Sequence, residues 1–138
     1  MTRNEGRAAL AALVGVLFWG ATAVAGPPTV EQPRGALTGQ KQKIGAYVAL
    51  NPDCSSAGQI TVTIVQQPAH GTLSLEAGQI YPDFPFGNVR SRCNTREVEA
   101  RLLFYTSEPG YKGGDAGIVE ALFPAGALRR TRYIITVR

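Results

Sequence analysis

The sequence predicts an all-β fold, an antiparallel β-sandwich of about seven short strands, on three observations. Sixteen glycines and nine prolines in 138 residues, with only 17% charged residues, are too many breakers and too few charges for a helical bundle. From Ile44 onward apolar and polar residues alternate in short runs, the period of a strand with one face buried. Turn clusters such as Asn51-Pro52-Asp53, Pro68-Ala69-His70-Gly71 and Pro124-Ala125-Gly126 separate those runs at roughly 8 to 12 residue intervals, the spacing of a sandwich. A hydrophobic content of 44% supplies one packed core, and the length confines the chain to one domain.

Residues 1–25 read as a helical secretory signal peptide. Arg3 and Arg7 precede an uncharged run whose apolar heart is Ala8 to Trp19, and Ala23 and Ala25 sit three and one residues before a cut that leaves Gly26 first. Ala21 and Ala23 offer a second cut. A retained anchor is the rival reading, because the run reaches the lower limit for spanning a ~30 Å hydrocarbon layer. Gly15 and Gly20 interrupt it where an anchor continues with large apolar residues, so cleavage is favoured and no stable membrane span is expected afterwards. The expected location is the periplasm or the medium.

Residues 26–43 mix three prolines with Gly, Gln and Thr and read as an extended linker, its middle capable of adding an edge strand. The domain is then expected over 44–138. Ile44, Ala46, Val48 and Leu50 share one face of a first strand; Ile60, Val62 and Ile64 share one face of the next, with Thr61 and Thr63 on the other. Leu73 and Leu75 open a third strand, and Gln79 to Tyr81 is expected to pair back on it across Gly78. Val98, Ala100, Leu102 and Phe104 line the core face of the longest run, and Glu97, Glu99 and Arg101 its wet face. Ile118 to Phe123 and Thr131 to Val137 complete the set.

Cys54 and Cys93 are the only cysteines, and in an exported chain such a pair becomes a structural disulfide. Closing a loop of roughly 40 residues stabilises the fold by about 4 kcal/mol in the chain-entropy picture. Both cysteines lie in loop-like sequence just before strands, so the bridge is expected to clamp two loops at one end of the sandwich.

Two strings carry a family resemblance. Pro68-Ala69-His70-Gly71-Thr72-Leu73 and the stretch Tyr105-Thr106-Ser107-Glu108-Pro109-Gly110-Tyr111-Lys112-Gly113-Gly114-Asp115 resemble, in order and spacing, the bacterial immunoglobulin-like, cadherin-like domains of exported and surface proteins. The resemblance spans roughly Gln59 to Arg138 and implies an immunoglobulin-like sandwich serving adhesion, spacing or binding. The chain departs from the pattern at Ser107, where the family prefers Pro, and at Ala116, Gly117 and Ile118, where it prefers aromatics. Chemically these residues suit a structural corner: Gly71, Gly110 and Gly113 can take positive φ, Asp115 can accept turn amides, and Tyr105 and Tyr111 can bury rings with bonded hydroxyls.

Catalytic chemistry lacks its parts. His70 is the single imidazole, with no free cysteine and no serine motif to activate, and reads as a turn residue. Glu97 and Glu99 continue into Arg101 as a solvated charge ladder rather than an acid-base pair. No phosphate cradle is present, so no cofactor is expected; Asp115 stands without the further carboxylates calcium wants, so no metal is expected. Loss of Arg3, Arg7 and Glu5 with the leader takes the formal net charge of +4 down by one, too little for nucleic-acid binding. Arg129, Arg130 and Arg132 are expected at a hairpin turn, shielding an edge strand.

The segment Tyr81 to Arg96 is the candidate binding site. Tyr81, Phe84 and Phe86 on a proline-stiffened loop, followed by Arg90, Arg92 and Arg96, can stack on sugars and grip acidic groups. The competing reading has the rings plug the open end of the sandwich while the arginines solvate a loop. The expected function is a non-catalytic binding or adhesion module of the cell envelope, recognising an anionic glycan or an envelope protein. The second reading is a structural subunit that associates through an exposed strand edge.

Overall fold

The computed structural model describes Gly20 and residues 25–138, so the signal-peptide reading concerns residues that lie almost wholly outside the described ones. Among the described residues seven strands form two sheets. β1 (Thr29–Ala36), β7 (Leu128–Val137), β6 (Gly113–Leu122) and β3 (Thr61–Gln66) lie side by side in one; β2 (Lys41–Tyr47), β5 (Val98–Ser107) and β4 (Gly71–Ile80) make the other. A short 3-10 helix, Ser91–Thr95, sits in the connection between β4 and β5. Among the described residues no helix is long and apolar enough to cross a membrane.

The sheets enclose a core of Ile44, Tyr47, Leu73, Leu103, Tyr105, Val119, Ala121, Tyr133, Ile135 and Val137, and Ile60, Val62 and Ile64 pack on its margin. Each large apolar side chain so buried stabilises the fold by about 1.5–3 kcal/mol. Two buried hydroxyls of this core, those of Tyr47 and Tyr133, hydrogen-bond each other at 3.0 Å.

Most of residues 26–43 belongs to the sandwich rather than to a linker: the middle of the stretch adds the edge strand β1, and its end begins β2. β1 lies parallel to β7 from Thr29↔Arg130 to Ala36↔Val137, so the fold is antiparallel except for this pair. Pro33 is tolerated because β1 is an edge strand, where a missing N–H need not break a ladder.

Three strands depart from simple alternation. A bulge between Lys43 and Gly45 puts Ile44 and Tyr47 inward and leaves Ala46 exposed. β4 runs unbroken through Gly78, with no hairpin there; Leu102 Cδ1 lies over this glycine, 2.5 Å from where a Cβ would be, so a larger residue would have to displace the Leu102 side chain. In β5 the buried set is Val98 and Ala100, then Leu103, Tyr105 and Ser107. The β4–β5 register has no slip, so these two groups occupy opposite faces of the sheet. Leu103 and Tyr105 enter the inter-sheet core, whereas Val98 is covered on the outer face by the connection that follows β4. Leu102 and Phe104 share that outer face, half-buried, with the Lys41 ammonium 4.5 Å from the Phe104 ring centroid and paired with Glu76. The expected core face of this run is therefore the outer one for Leu102 and Phe104.

Arg129, Arg130 and Arg132 do not shield an edge, since β7 is flanked by β1 and β6. Arg130 pairs with Glu120 at 2.6 Å and Arg132 with Glu31 at 3.1 Å, joining the central strand to both neighbours.

Candidate functional site

The connection from Ile80 to Val98 closes one end of the sandwich over a second small core of Leu50, Cys93 and Val98, packed by Val48, Cys54, Ile80 and Phe84. Four constraints fix it. The Cys54–Cys93 disulfide joins the β2–β3 connection to the 3-10 helix, with Cys93 fully buried. Cys54 takes φ +72°, a left-handed angle held by its amide donating to the Asn51 carbonyl at 2.9 Å. The Asn94 side-chain amide bonds Phe84 twice, Oδ1 accepting from its N–H and Nδ2 donating to its carbonyl, each at 3.0 Å. Arg90 Nε donates to the Leu50 carbonyl at 2.6 Å. Nearby, the Ser55 hydroxyl and amide hold the Asp53 carboxyl below its usual range.

The candidate residues divide on this frame. Phe84 and Arg90 face inward and hold the loop. Tyr81 is 61% exposed and Phe86 wholly exposed, beside Gly87 at φ +87°, which turns the chain at the tip. Arg92 and Arg96 are exposed. Val89, 61% exposed, extends the apolar surface, and Asn94 fixes the aromatic segment; neither was singled out by sequence. Val89 has no distinguishing pattern, while an Asn ten residues past an aromatic carries no readable signal of pairing. The two phenylalanines thus differ: Phe84 packs on the small cluster of Leu50, Cys93 and Val98, and Phe86 is exposed.

The structural-corner residues gather at the other end. Asp115 accepts hydrogen bonds from the Ala69 amide at 3.0 Å, the His70 amide at 3.1 Å, its own neighbour Ala116 at 3.0 Å and the Tyr105 hydroxyl at 2.8 Å. Burial first, then the bond to Asp115, pushes the Tyr105 hydroxyl well above its ordinary pKa. Gly110 and Gly113 take φ of +83° and +137°. Gly71 does not; its constraint is space, since a Cβ would lie 2.5 Å from the Tyr105 ring and 2.7 Å from the Thr106 carbonyl oxygen. Tyr111 is half-buried, donates to the Gly114 carbonyl at 2.5 Å and stacks on His70 with ring centroids 4.1 Å apart. The hydroxyl of Ser107 accepts the Gly39 amide at 2.8 Å, tying the β1–β2 turn to the end of β5.

His70 Nδ1 lies 3.9 Å from Glu108, and one face of its ring stacks on Tyr111 while the side chain stays partly exposed. Glu97 and Glu99 are exposed. Among the described residues no group of three or more His, Cys, Asp or Glu side chains gathers to hold a metal ion. Two depressions, of about 500 Å³ beside Arg34 and Gln42 and about 580 Å³ beside His70 and Asp115, are open surface troughs.

No protein-family model and no curated protein matches this chain. One solved structure, titled "Solution Structure of Amebosin", is similar over 81% of this chain and 100% of that chain, with 11% sequence identity and a TM-score of 0.40, too distant to carry a functional argument.

Proposed function

We propose that the protein is an exported, non-catalytic recognition domain of immunoglobulin-like type whose Tyr81–Arg96 loop binds an anionic glycan or an envelope partner. The observation that carries this reading is Phe86: an aromatic ring wholly exposed to water, on a loop immobilised by a disulfide and by the Phe84–Asn94 pair. A free aromatic costs solubility and contributes nothing to packing, so its place on a rigid mount fits a surface that stacks on a ligand. Arg92 and Arg96 supply positive charge on the same loop, while Arg90 is committed to Leu50.

The immunoglobulin-like assignment is supported by strand order. β3, β6 and β7 adjoin in one sheet and β2, β5 and β4 in the other, the arrangement of strands C, F, G and B, E, D in that fold, with β1 added beside β7. The bridged cysteines fit an oxidising compartment, which supports export to the periplasm or beyond.

The test is retention on isolated envelopes and on an immobilised acidic polysaccharide. Phe86→Ala and the Arg92→Ala, Arg96→Ala pair should each weaken retention about tenfold, equivalent to ~1.4 kcal/mol, and raised salt should act like the arginine pair. Retention unchanged in both variants discards the reading.

A further inference from the structure

Each sheet leaves two strand edges open, and three of the four are blunted. β1 carries Pro33, and Arg34 Nε crosses to the Ile44 carbonyl of β2 at 2.6 Å. β2 bears Lys41 and Lys43 and is bulged beside them. β3 is six residues long and bulged between Ile64 and Gln66. Lysine, proline and bulges are the usual devices against edge-to-edge pairing.

β4 has none of them over its ten residues, and its register with β5 is unbroken. Its outer edge can be read from Gln67, whose side-chain amide imitates a neighbouring strand. Oε1 accepts the Leu73 N–H at 2.7 Å and Nε2 donates to the Leu73 carbonyl at 3.1 Å. The backbone groups of Leu73 therefore point away from β5, and by alternation so do those of Leu75, Ala77 and Gln79. Among the described residues no side chain bonds those three.

We propose that Leu75–Gln79 pairs antiparallel with the same segment of a second copy, about a two-fold axis at Ala77. In that register Leu75 lies opposite Gln79, Glu76 opposite Gly78, and Ala77 opposite Ala77, each pair on one face of the sheet as pairing requires. Glu76, the strand's single charge, meets Gly78 of the other copy and is already neutralised by Lys41. Leu73 would fall opposite Tyr81, one residue past the end of the strand. Gln67 thus covers the first position at which a second copy has no strand left to offer. The edge is capped where self-pairing stops and bare where it runs. The product is a closed, isologous dimer with a six-stranded sheet. Three outward-facing residues per copy make a contact well below the standard interface size, so the dimer is weak and concentration-dependent.

Sedimentation of the full chain with its disulfide intact tests this. The apparent mass should rise toward twice the monomer as concentration approaches about 1 mM. Ala77→Pro removes the outward N–H without touching the β4–β5 ladder, and Ala77→Lys, at an exposed position, sets two like charges face to face. Each should weaken association about tenfold or more with an unchanged melting temperature. Should the proline variant fail to fold, the lysine variant decides. Ala77→Cys places two sulfurs across a hydrogen-bonded pair with Cα atoms ~5.5 Å apart, within disulfide range, and should oxidise to a covalent dimer. A monomer throughout the range, or a dimer that survives Ala77→Lys, overturns the proposal.

Discussion

The Tyr105 hydroxyl donates a 2.8 Å hydrogen bond to Asp115 Oδ2, and the two residues belong to different sheets, Tyr105 to β5 and Asp115 to β6. One buried bond thus ties the layers beside the connection that carries the chain from one to the other. The same carboxylate accepts two amides of the β3–β4 turn, so three segments converge on one side chain. Tyr105→Phe should cost about 1.5 kcal/mol, the worth of one bond to a charged acceptor. Asp115→Ala should cost about 3 kcal/mol, because it removes the acceptor of a buried hydroxyl and of three amides together. Denaturant unfolding measures both, and equal effects would refute the convergence.

Alkaline stability follows from the buried tyrosines. Burial first, then a partner, raises Tyr47 and Tyr105 well above their ordinary value, the partners being Tyr133 and Asp115. A raised folded-state pKa means the folded chain keeps protons that the unfolded chain sheds. Their contribution is therefore complete below pH ~10 and is lost as pH climbs beyond it. Stability should fall steeply above that point in the native chain and less steeply in Tyr105→Phe.

Replacing both cysteines by serine should cost about 4 kcal/mol, the chain-entropy value for bridging residues 39 apart. The loss should be local at first. Leu50, Cys93 and Val98 form a cluster separate from the inter-sheet core, so limited proteolysis after reduction should cut between Phe84 and Arg96 before any strand.

Two glycines separate steric from conformational causes. Gly71→Ala should cost about 2–3 kcal/mol, because its Cβ meets the Tyr105 ring and the Thr106 carbonyl. Gly87→Ala should cost about 1 kcal/mol, from its φ of +87° alone, since nothing lies within 4 Å of the added carbon. Comparable melting shifts in the two would refute the distinction.

How much of this was legible depends on which signal each residue carries. The Ile60, Val62, Ile64 alternation marked β3 because these three side chains pack on the core from one face, up to the bulge after Ile64. Val98, Ala100, Leu102 and Phe104 gave an equally clean pattern that points outward, because a long loop supplies a second core on that face and local alternation cannot say which side is covered. Pro33 and its neighbours masked β1, whose pairing partner lies about a hundred residues away in sequence. Gly78 looked like a turn for want of any local sign that Leu102 occupies the space above it. The Cys54–Cys93 bridge was readable from residue type, as was a role for Asp115 as an acceptor of turn amides; that those amides are Ala69 and His70, and that Tyr105 joins them, was not, since these partners come from other segments of the chain. The division of labour between Phe84 and Phe86 was not, since both are the same residue in the same loop and only Asn94 tells them apart.

Phe86 and Gly87 lie beyond the disulfide, the Asn94 clasp and the Arg90 anchor, whereas Pro85 and Asn88 close the turn beneath them and Asn88 Oδ1 accepts the Arg90 amide at 2.9 Å. Foreign peptides spliced between Phe86 and Gly87 should therefore cost little more than the ~1 kcal/mol of a strained tip residue, making this end of the molecule a natural place for variation to accumulate and a ready seat for grafting.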